Sequence, residues 1–461
     1  MGGVPVLIIV QNLPVPLDRR VWLECQALRD AGYQVSVICP KGPGDPGYQQ
    51  LDGMHLYKYA APPEAAGLLG YLVEFVYCWL RTALLSVRVH RRHGFQLIQA
   101  CNPPDTYWLL AALWRPWGVR FVLDQHDLNP ELFVSRFGRP KGLAARLQYA
   151  GLLWLERRTY RSADHVIVTN RSYRAVAIER GDRSTEDTTV VRSGPDTATM
   201  RPLEARPELR RGARHLLVYL GIMGPQDGID QLLAVMDELV RVRGRDDVHL
   251  ALLGFGDMLE PMRRRADELG LADRVTFTGR ADKQMIAEYL STASLGLCPD
   301  AKTPLNDIST HNKVMEYMAY ALPIVTFDLV ETRVSAEACA VYVPPGDVAG
   351  YAEVVDGLLE DSGRRLDMGR HARSRCTREL DWQPQAVAYV SVFDRVTGAR
   401  EAAAATAGAQ VRWPAVDRRM APEQAAVPPA IGGRRAIDLR DALSFEEFLR
   451  SRDQPESAGQ R

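Results

Sequence analysis

Two doubly wound α/β domains facing a cleft, each a parallel sheet with helices on both faces, are the fold class this sequence predicts. Three observations carry the prediction. Short apolar, β-branched runs alternate with helical stretches, the pattern of βαβ units. The alternation stops in a stretch over 193–211 that carries Pro195, Pro202 and Pro207, and then restarts. The chain has 461 residues, about three times the usual domain size.

In chain order, Val6–Val10 reads as the first strand. It is too short for the apolar core of a signal peptide and no basic residue precedes it. Arg20–Ala31 follows as a helix, with Trp22, Cys25 and Leu28 on one stripe and Gly32 as its stop. Val35–Cys39, Gln96–Ala100, Val119–Leu123, His165–Thr169 and Thr189–Arg192 read as further strands, with a helix at Thr106–Trp114. The second half offers strands at His215–Leu220, Val248–Leu253, Val275–Phe277, Leu295–Cys298 and Ile324–Phe327. Helices at Ile229–Arg241, Leu259–Glu268, Lys283–Ala293 and Asn312–Ala321 alternate with them. The expected division is a first Rossmann-like domain over 1–204, a second over 205–382, and a helix over 383–398 that crosses back to the first. Residues 399–461 are expected to form a low-complexity, mobile tail, with Ala442–Arg450 as one short amphipathic helix.

One segment breaks the pattern. Leu68–Val89 is strongly apolar, but Glu74 and Arg81 interrupt it and Arg88, His90, Arg91, Arg92 and His93 end it. Mid-helix charges disfavour a membrane span. Two readings remain: an amphipathic helix on a membrane surface, anchored by Tyr71, Tyr77, Trp79 and the basic end over 68–93, or a helix buried against the first sheet.

Composition excludes several classes. Hydrophobic residues make up 46% and charged residues 25%, which argues against a disordered, collagen-like or polytopic membrane chain. Fifty-seven basic residues balance fifty-seven acidic ones, so no global field points to a nucleic-acid partner. The seven cysteines include no C-x-x-C pair, so neither a zinc site nor a disulfide framework is expected, and a reducing cytoplasm is the natural compartment.

Ligands of doubly wound sheets bind beyond the C-terminal strand ends, beside helix N-termini. The richest candidate is 306–323. Asp307, Ser309 and Thr310 are helix-capping types, Asn312 opens the helix, Lys313 adds a charge, and Glu316 lies one turn past Asn312 on the same face. Backbone N–H groups and Lys313 suit a diphosphate, and a carboxylate suits two ribose hydroxyls. The same spacing also fits an amphipathic surface helix. In the first half, Leu123–Glu131 follows a strand and brings His126, Asp127 and Glu131 toward the cleft; a structural histidine fits there too. Asp18, Arg19 and Arg20 sit at a helix start, where arginine opposes the dipole, so a ligand anion or plain exposure explains them. Gly254 and Gly256 form a G-x-G just after a strand, a weak signal that by itself reads as a tight turn beside the cleft.

These pieces resemble the retaining glycosyltransferases of family 4, with the GT-B fold, over roughly residues 4–395. Tyr219-Leu-Gly-Ile-Met-Gly-Pro-Gln-Asp-Gly resembles the first strand and loop of that family's donor domain, and Leu252-Leu-Gly-Phe-Gly-Asp its second turn. Asp273-Arg-Val-Thr-Phe-Thr-Gly-Arg, ending at Arg280, resembles the strand beside the nucleobase. Lys313-Val-Met-Glu-Tyr-Met-Ala-Tyr-Ala-Leu-Pro resembles the helix whose glutamate, here Glu316, binds the donor ribose. Val10-Gln-Asn-Leu-Pro-Val-Pro-Leu-Asp-Arg-Arg-Val-Trp is similar to the opening loop of a branch that builds bacterial surface polysaccharides. The resemblance implies a nucleotide-diphosphate sugar as donor and co-substrate, no further cofactor, and a saccharide or lipid-linked saccharide acceptor. It also implies retention by front-face attack, with the acceptor proton passing toward the departing phosphate and His126 and Asp127 orienting the sugar or acceptor.

Departures sharpen the expectation. The family's first glutamate would fall at Ile308, with Asp307 the nearest carboxylate, and its phosphate-binding Arg and Lys would fall at Ile222 and Asp227. Phosphate binding is then expected from N–H groups of Gly221 to Gly224, the helix start, Lys313 itself, and Arg19 or Arg20 across the cleft. No D-x-D cluster follows a strand, so metal-independent transfer is expected. A sugar-nucleotide epimerase and a non-catalytic nucleotide-binding scaffold are the alternatives. The enzyme is expected in the cytoplasm, peripheral to the inner membrane face.

Overall fold

Alternating strands and helices build two separate parallel sheets. The computed structural model describes residues 3–62 and 67–398. The expected tail, with its Ala442–Arg450 helix, and the Tyr71 side chain lie outside the described residues.

The first sheet contains β1 (Pro5–Ile9), β2 (Gln34–Pro40), β3 (Tyr48–Leu51), β4 (Met54–Tyr59), β5 (Leu97–Cys101), β6 (Arg120–Gln125), β7 (His165–Val168) and β8 (Thr188–Val190). Their order is β3-β4-β2-β1-β5-β6-β7-β8, and only β3 runs antiparallel to its neighbour. The second contains β9 (His215–Leu220), β10 (Val248–Leu253), β11 (Val275–Gly279), β12 (Leu295–Cys298), β13 (Ile324–Phe327) and β14 (Ala340–Val343). It is all parallel, in the order β11-β10-β9-β12-β13-β14. Strand order reverses beside β1 and beside β9, so the loops after these two strands head a crevice in each sheet.

Helices cover both faces of each sheet, which is why the central strands are apolar throughout. Every residue of β5, β7, β9, β10, β12 and β13 is buried. The first sheet differs from the sequence reading by the hairpin β3–β4. Its turn is Asp52-Gly53, with φ of 48° and 80°, the turn signal that Asp-Gly supplies. The polar edge strand Tyr-Gln-Gln-Leu gave no apolar signal. In the second lobe β14 and the helices Val330–Ala336, Val348–Glu360 and Ser362–Arg375 also escaped that reading.

The proline-bearing segment after β8 is laid along the second lobe: Leu203 N donates to Ser291 Oγ at 2.9 Å and Arg206 N to Thr292 Oγ1 at 2.8 Å. The helix Trp382–Thr397 belongs to the first lobe's core. Tyr389, Val392 and Phe393 are buried in one cluster with Val21, Cys25 and Leu28 of the helix Arg19–Asp30. All seven cysteines are free and buried.

The segment read as either membrane-surface or buried is a helix, Gly67–His93, with one side on the first sheet and the other open to solvent. Among the described residues no helix is long and apolar enough to cross a membrane.

The C-terminal strand edges of the two sheets meet. Asn170, just after β7, donates to Ile308 O at 2.9 Å and Thr310 Oγ1 at 3.0 Å in the segment that follows β12. Tyr173 Oη lies 2.8 Å from Ser309 Oγ, and Ser172 Oγ donates to Glu331 Oε1 at 2.6 Å.

Candidate active site between the lobes

On the second lobe the crevice is lined by the loops after β9 and β10. These loops touch backbone to backbone. A Cβ on Gly254 would lie 1.7 Å from Gly221 O, and one on Gly256 would lie 2.6 Å from Met223 O, so only glycine fits either position. The contact consumes donors that the sequence reading assigned to phosphate. Gly221 N donates to Leu253 O at 3.0 Å, Met223 N to Phe255 O at 2.8 Å, and Gly224 N to Asp227 Oδ2 at 2.8 Å. The loop amides at Gly221 and Gly224 therefore hold the loop rather than offer themselves to an anion. Burial raises the Asp227 carboxyl to about 6, against the opposing pull of Lys313. Beyond β11, the exposed Arg280 guanidinium sits over the Phe255 ring at 4.4 Å, a flat pair in the region assigned to the nucleobase.

The helix Asn312–Ala319 has His311 as its N-cap residue, with no side-chain cap bond. The expected capping residues do other work. Asp307 accepts from Val330 N at 3.0 Å, at the start of the helix Val330–Ala336, and pairs with Lys302 at 3.3 Å. Ser309 and Thr310 face Tyr173 and Asn170 of the other lobe. Asp307, Ser309 and Thr310 therefore fasten neighbouring structure instead of presenting donors at the helix start.

Lys313 is the largest correction. It is not a mobile charge. The residue is buried, and its Nζ donates to Asp300 Oδ1 at 2.6 Å and sits 4.7 Å above the Tyr219 ring. Burial opposes its charge, but Asp300 outweighs burial and holds the ammonium well above its ordinary pKa. The pair is fixed because Asp300 directly follows β12 and lies under the helix start, so neutralisation is built into the fold. Asn312 is exposed, and Glu316, one turn on, is partly open. Glu316 reaches the gap, where Arg19 of the first lobe pairs with it.

On the first lobe, Asp18 caps the helix Arg19–Asp30 by accepting from Val21 N at 3.1 Å. Arg20 points inward instead of across the cleft. Its Nη2 is 2.8 Å from Asp124 Oδ1, its Nε 2.9 Å from Glu24 Oε1, and Nη1 donates to Val191 O at 2.8 Å. Asp124, the last-but-one residue of β6, also takes His126 Nε2 at 2.7 Å and Gln99 Nε2 at 3.2 Å. Gln99 Oε1 in turn accepts from Tyr389 Oη at 2.5 Å. The network runs from the helix Trp382–Thr397 to the crevice.

Electrostatics follow from this packing. Burial opposes ionisation of Asp124, yet Arg20 and His126 hold it well below the usual carboxylate range. Burial likewise opposes a charge on His126, but Asp124 outweighs it and raises the imidazole pKa. Burial and the Asp124 charge push Glu24 up to about 8. The Arg20 guanidinium thus lies between two buried carboxylates, offsetting the charge of Asp124 and opposing the rise at Glu24. Ligand-type atoms of Glu24, Cys101, Asp124 and His126 lie within 4.8 Å of one another; the Arg20 guanidinium already supplies that cluster's cation. With Nε2 engaged by Asp124, His126 has Nδ1 left for a ligand. Asp127, beside it, is raised by burial, with His126 and Arg136 opposing. Glu131 leaves the site: Arg180 grips it at 2.6 and 3.0 Å.

The structure thus brings Arg19, Glu316, Asn312, His126 and Asp127 to the interlobe edges. Asp18, Arg20, Glu131, Asp307, Ser309 and Thr310 serve local or interlobe packing. The sequence reading passed over Asp124 and Asp300, although both stand at a strand's C-terminal end, where it was searching. It also passed over Arg136. This exposed arginine ends the helix Asn129–Phe137 and has no hydrogen bond or ion pair among the described residues. Its charge acts on Asp127 of one lobe and Asp227 of the other.

Comparison with known proteins agrees with this two-lobed plan. Residues 17–194 match the family described as glycosyl transferase 4-like domain, and residues 214–361 match glycosyl transferases group 1. A glycogen synthase of Mycobacterium tuberculosis is 26% identical over 398 residues, covering 82% of this chain and 90% of that protein. A GDP-mannose-dependent alpha-(1-6)-phosphatidylinositol monomannoside mannosyltransferase of the same organism is 28% identical over 198 residues, covering 41% of this chain and 51% of that one. Among solved structures, sucrose-phosphate synthase from Thermosynechococcus elongatus shares the fold, with a TM-score of 0.70 at 21% identity, over 86% of this chain and 100% of that one.

Proposed function

Because the chain belongs to the glycosyltransferases of family 4 and has their GT-B fold, we propose that it moves a hexosyl group, with retention, from a nucleotide-diphosphate sugar to an acceptor hydroxyl. The observation that carries the reading is Glu316, which stands at the interlobe gap opposite Arg19. There its carboxylate can accept from two ribose hydroxyls. The flat pair of Arg280 and Phe255 beyond β11 supports a stacking surface for the base.

Breaking the glycosidic bond leaves negative charge on the diphosphate. Fixed cations stabilise that charge best in a closed, dry site. Because the amides of Gly221, Met223 and Gly224 and the Lys313 ammonium are committed elsewhere, the cations that can turn toward it are Arg136 and, by giving up its pairing with Glu316, Arg19. Lys313 acts behind them, by fixing the helix that carries Glu316. The acceptor hydroxyl attacks the face the phosphate leaves and passes its proton to the departing phosphate oxygen. His126, through Nδ1, and Asp127 orient the transferred sugar. No metal is assigned a step. The acceptor is a saccharide, in the lipid-linked case presented at the inner membrane face, with the helix over 68–93 as the first lobe's contact. This suits bacterial polysaccharide or glycolipid synthesis.

A thermal-shift panel of UDP-, GDP-, ADP- and dTDP-sugars tests the donor, and NMR of the product tests retention. Glu316→Ala should weaken nucleoside-diphosphate binding by about 1.5–3 kcal/mol, the weight of hydrogen bonds to a charged group. Unchanged affinity by calorimetry would remove Glu316 from the site, and epimerised donor formed without acceptor would overturn transfer itself.

A further inference from the structure

Three helices lie side by side on one face of the first sheet: Gly67–His93, Trp108–Trp114 and Gly142–Ser162. Trp114 Nε1 donates to Ser86 Oγ at 3.1 Å, and the Trp108 and Trp154 rings meet edge to face at 6.2 Å. The first helix is apolar on both sides: Cys78 and Val89 are buried in the sheet's hydrophobic cluster, with Tyr77, Trp79 and Leu85 packed against it. It turns Cys78, Thr82 and Ser86 to the sheet, while Val76, Leu80 and Leu84 face solvent at 50, 51 and 66% exposure. The second helix and the turn after it add Leu113 and Trp117, and the third adds Leu147 and Trp154, each more than half exposed. Apolar side chains gathered in water on one face call for a partner.

Charge identifies the partner. Among the described residues, every exposed charged side chain on the three helices is an arginine, including Arg81, Arg88, Arg146 and Arg157. In a chain whose charges balance overall, this is a local excess. A second copy docking through the same patch would set arginines against arginines, since a two-fold interface is self-complementary. An anionic lipid surface meets both features: it takes the aliphatic and Trp side chains, and its headgroups attract the arginines.

We propose that this three-helix face docks the protein on an anionic bilayer. The proposal deepens the lipid-linked acceptor reading above. Geometry supplies the reason for the placement. The helix Gly67–His93 has 27 residues, about 40 Å, and runs into β5, whose five residues span about 17 Å. Its first turns therefore project past the C-terminal strand ends, on the side where the lobes meet. A face seated on lipid sets the acceptor side of the cleft beside the headgroups.

The test is co-sedimentation of the full chain with vesicles of phosphatidylcholine alone or mixed with phosphatidylglycerol. The parent should pellet with the anionic vesicles, and less at high salt. Leu84→Ser/Trp117→Ser/Trp154→Ser and Arg88→Glu/Arg157→Glu should each lower that partition by roughly tenfold or more, with the nucleoside-diphosphate thermal shift unchanged. A parent that stays in the supernatant, or variants that pellet like it, would overturn the proposal. So would a parent dimer that the triple substitution makes monomeric. Lost sedimentation with retained nucleotide binding concerns this face alone. Sedimentation by a parent that binds no nucleoside diphosphate would uphold the face and sink the transferase reading.

Discussion

Lys313 and Asp300 show how a buried charge is kept beside the interlobe crevice. The ammonium is stable there because Asp300 follows the neighbouring strand and lies 2.6 Å away. Lys313→Met leaves the buried Asp300 carboxylate with only the His311 imidazole, at 3.6 Å, beside it, and breaking a buried pair in this way costs roughly 3–5 kcal/mol. Chemical denaturation should show that loss, and Lys313→Met/Asp300→Asn should recover much of it. Full stability in the single variant would refute the structural assignment. Asp124 governs the other charged residue of the site. Since His126 has a raised pKa, its charge is present at low pH and lost as pH rises through that value. Asp124→Asn removes the partner that raises it, so the basic limb of kcat/KM should move to lower pH. A profile that drops in height without moving would make Asp124 a packing residue only. Sequence alone singled out Lys313, Glu316 and His126, because post-strand position and helical spacing are local. It could not say that Lys313 was spoken for, because its partner lies 13 residues earlier, on a different element.

At the level of elements, the paired loops after β9 and β10 set the shape of the second lobe's side of the crevice. Gly254→Ala places a methyl 1.7 Å from Gly221 O, and neither backbone can yield without moving the other loop. A loss of about 1–3 kcal/mol or more in stability is expected, with weaker nucleoside-diphosphate binding in the surviving fold. Wild-type binding by calorimetry would show that these loops lie away from the donor. β9, β10, β12 and β13 were legible to their end residues, since strands buried on both faces read as unbroken apolar runs. The hairpin β3–β4 was less so, because its edge strand is polar and only Asp52-Gly53 announces it. Ser362–Arg375 is rich in arginine and offers no clean apolar stripe, so its helix emerges from packing, not pattern.

For the whole molecule, the lobes are fastened by polar contacts, Asn170 to Ile308 and Thr310, Tyr173 to Ser309, Ser172 to Glu331 and Arg19 to Glu316, and by Leu305 of the second lobe, which is buried in the first lobe's hydrophobic cluster. Such contacts are individually modest, about 0.5–1.5 kcal/mol for a neutral hydrogen bond, so the lobes can part to admit ligands. Asn170→Ala/Tyr173→Phe should increase the radius of gyration of the ligand-free protein in small-angle scattering, and a nucleoside diphosphate should reverse the change. An unaltered radius in both states would mean that the closed arrangement is held by something else.

The helix Trp382–Thr397 joins the two ends of the chain's history. Its Tyr389, Val392 and Phe393 complete a hydrophobic cluster whose other members were synthesised from residue 6 onward. During translation the N-terminal half must therefore wait, with that flank bare, until almost four hundred residues have left the ribosome. A fragment cut at the interlobe segment would inherit the same bare flank, and a split or transplanted version of this lobe must carry 382–397 along as its missing last piece.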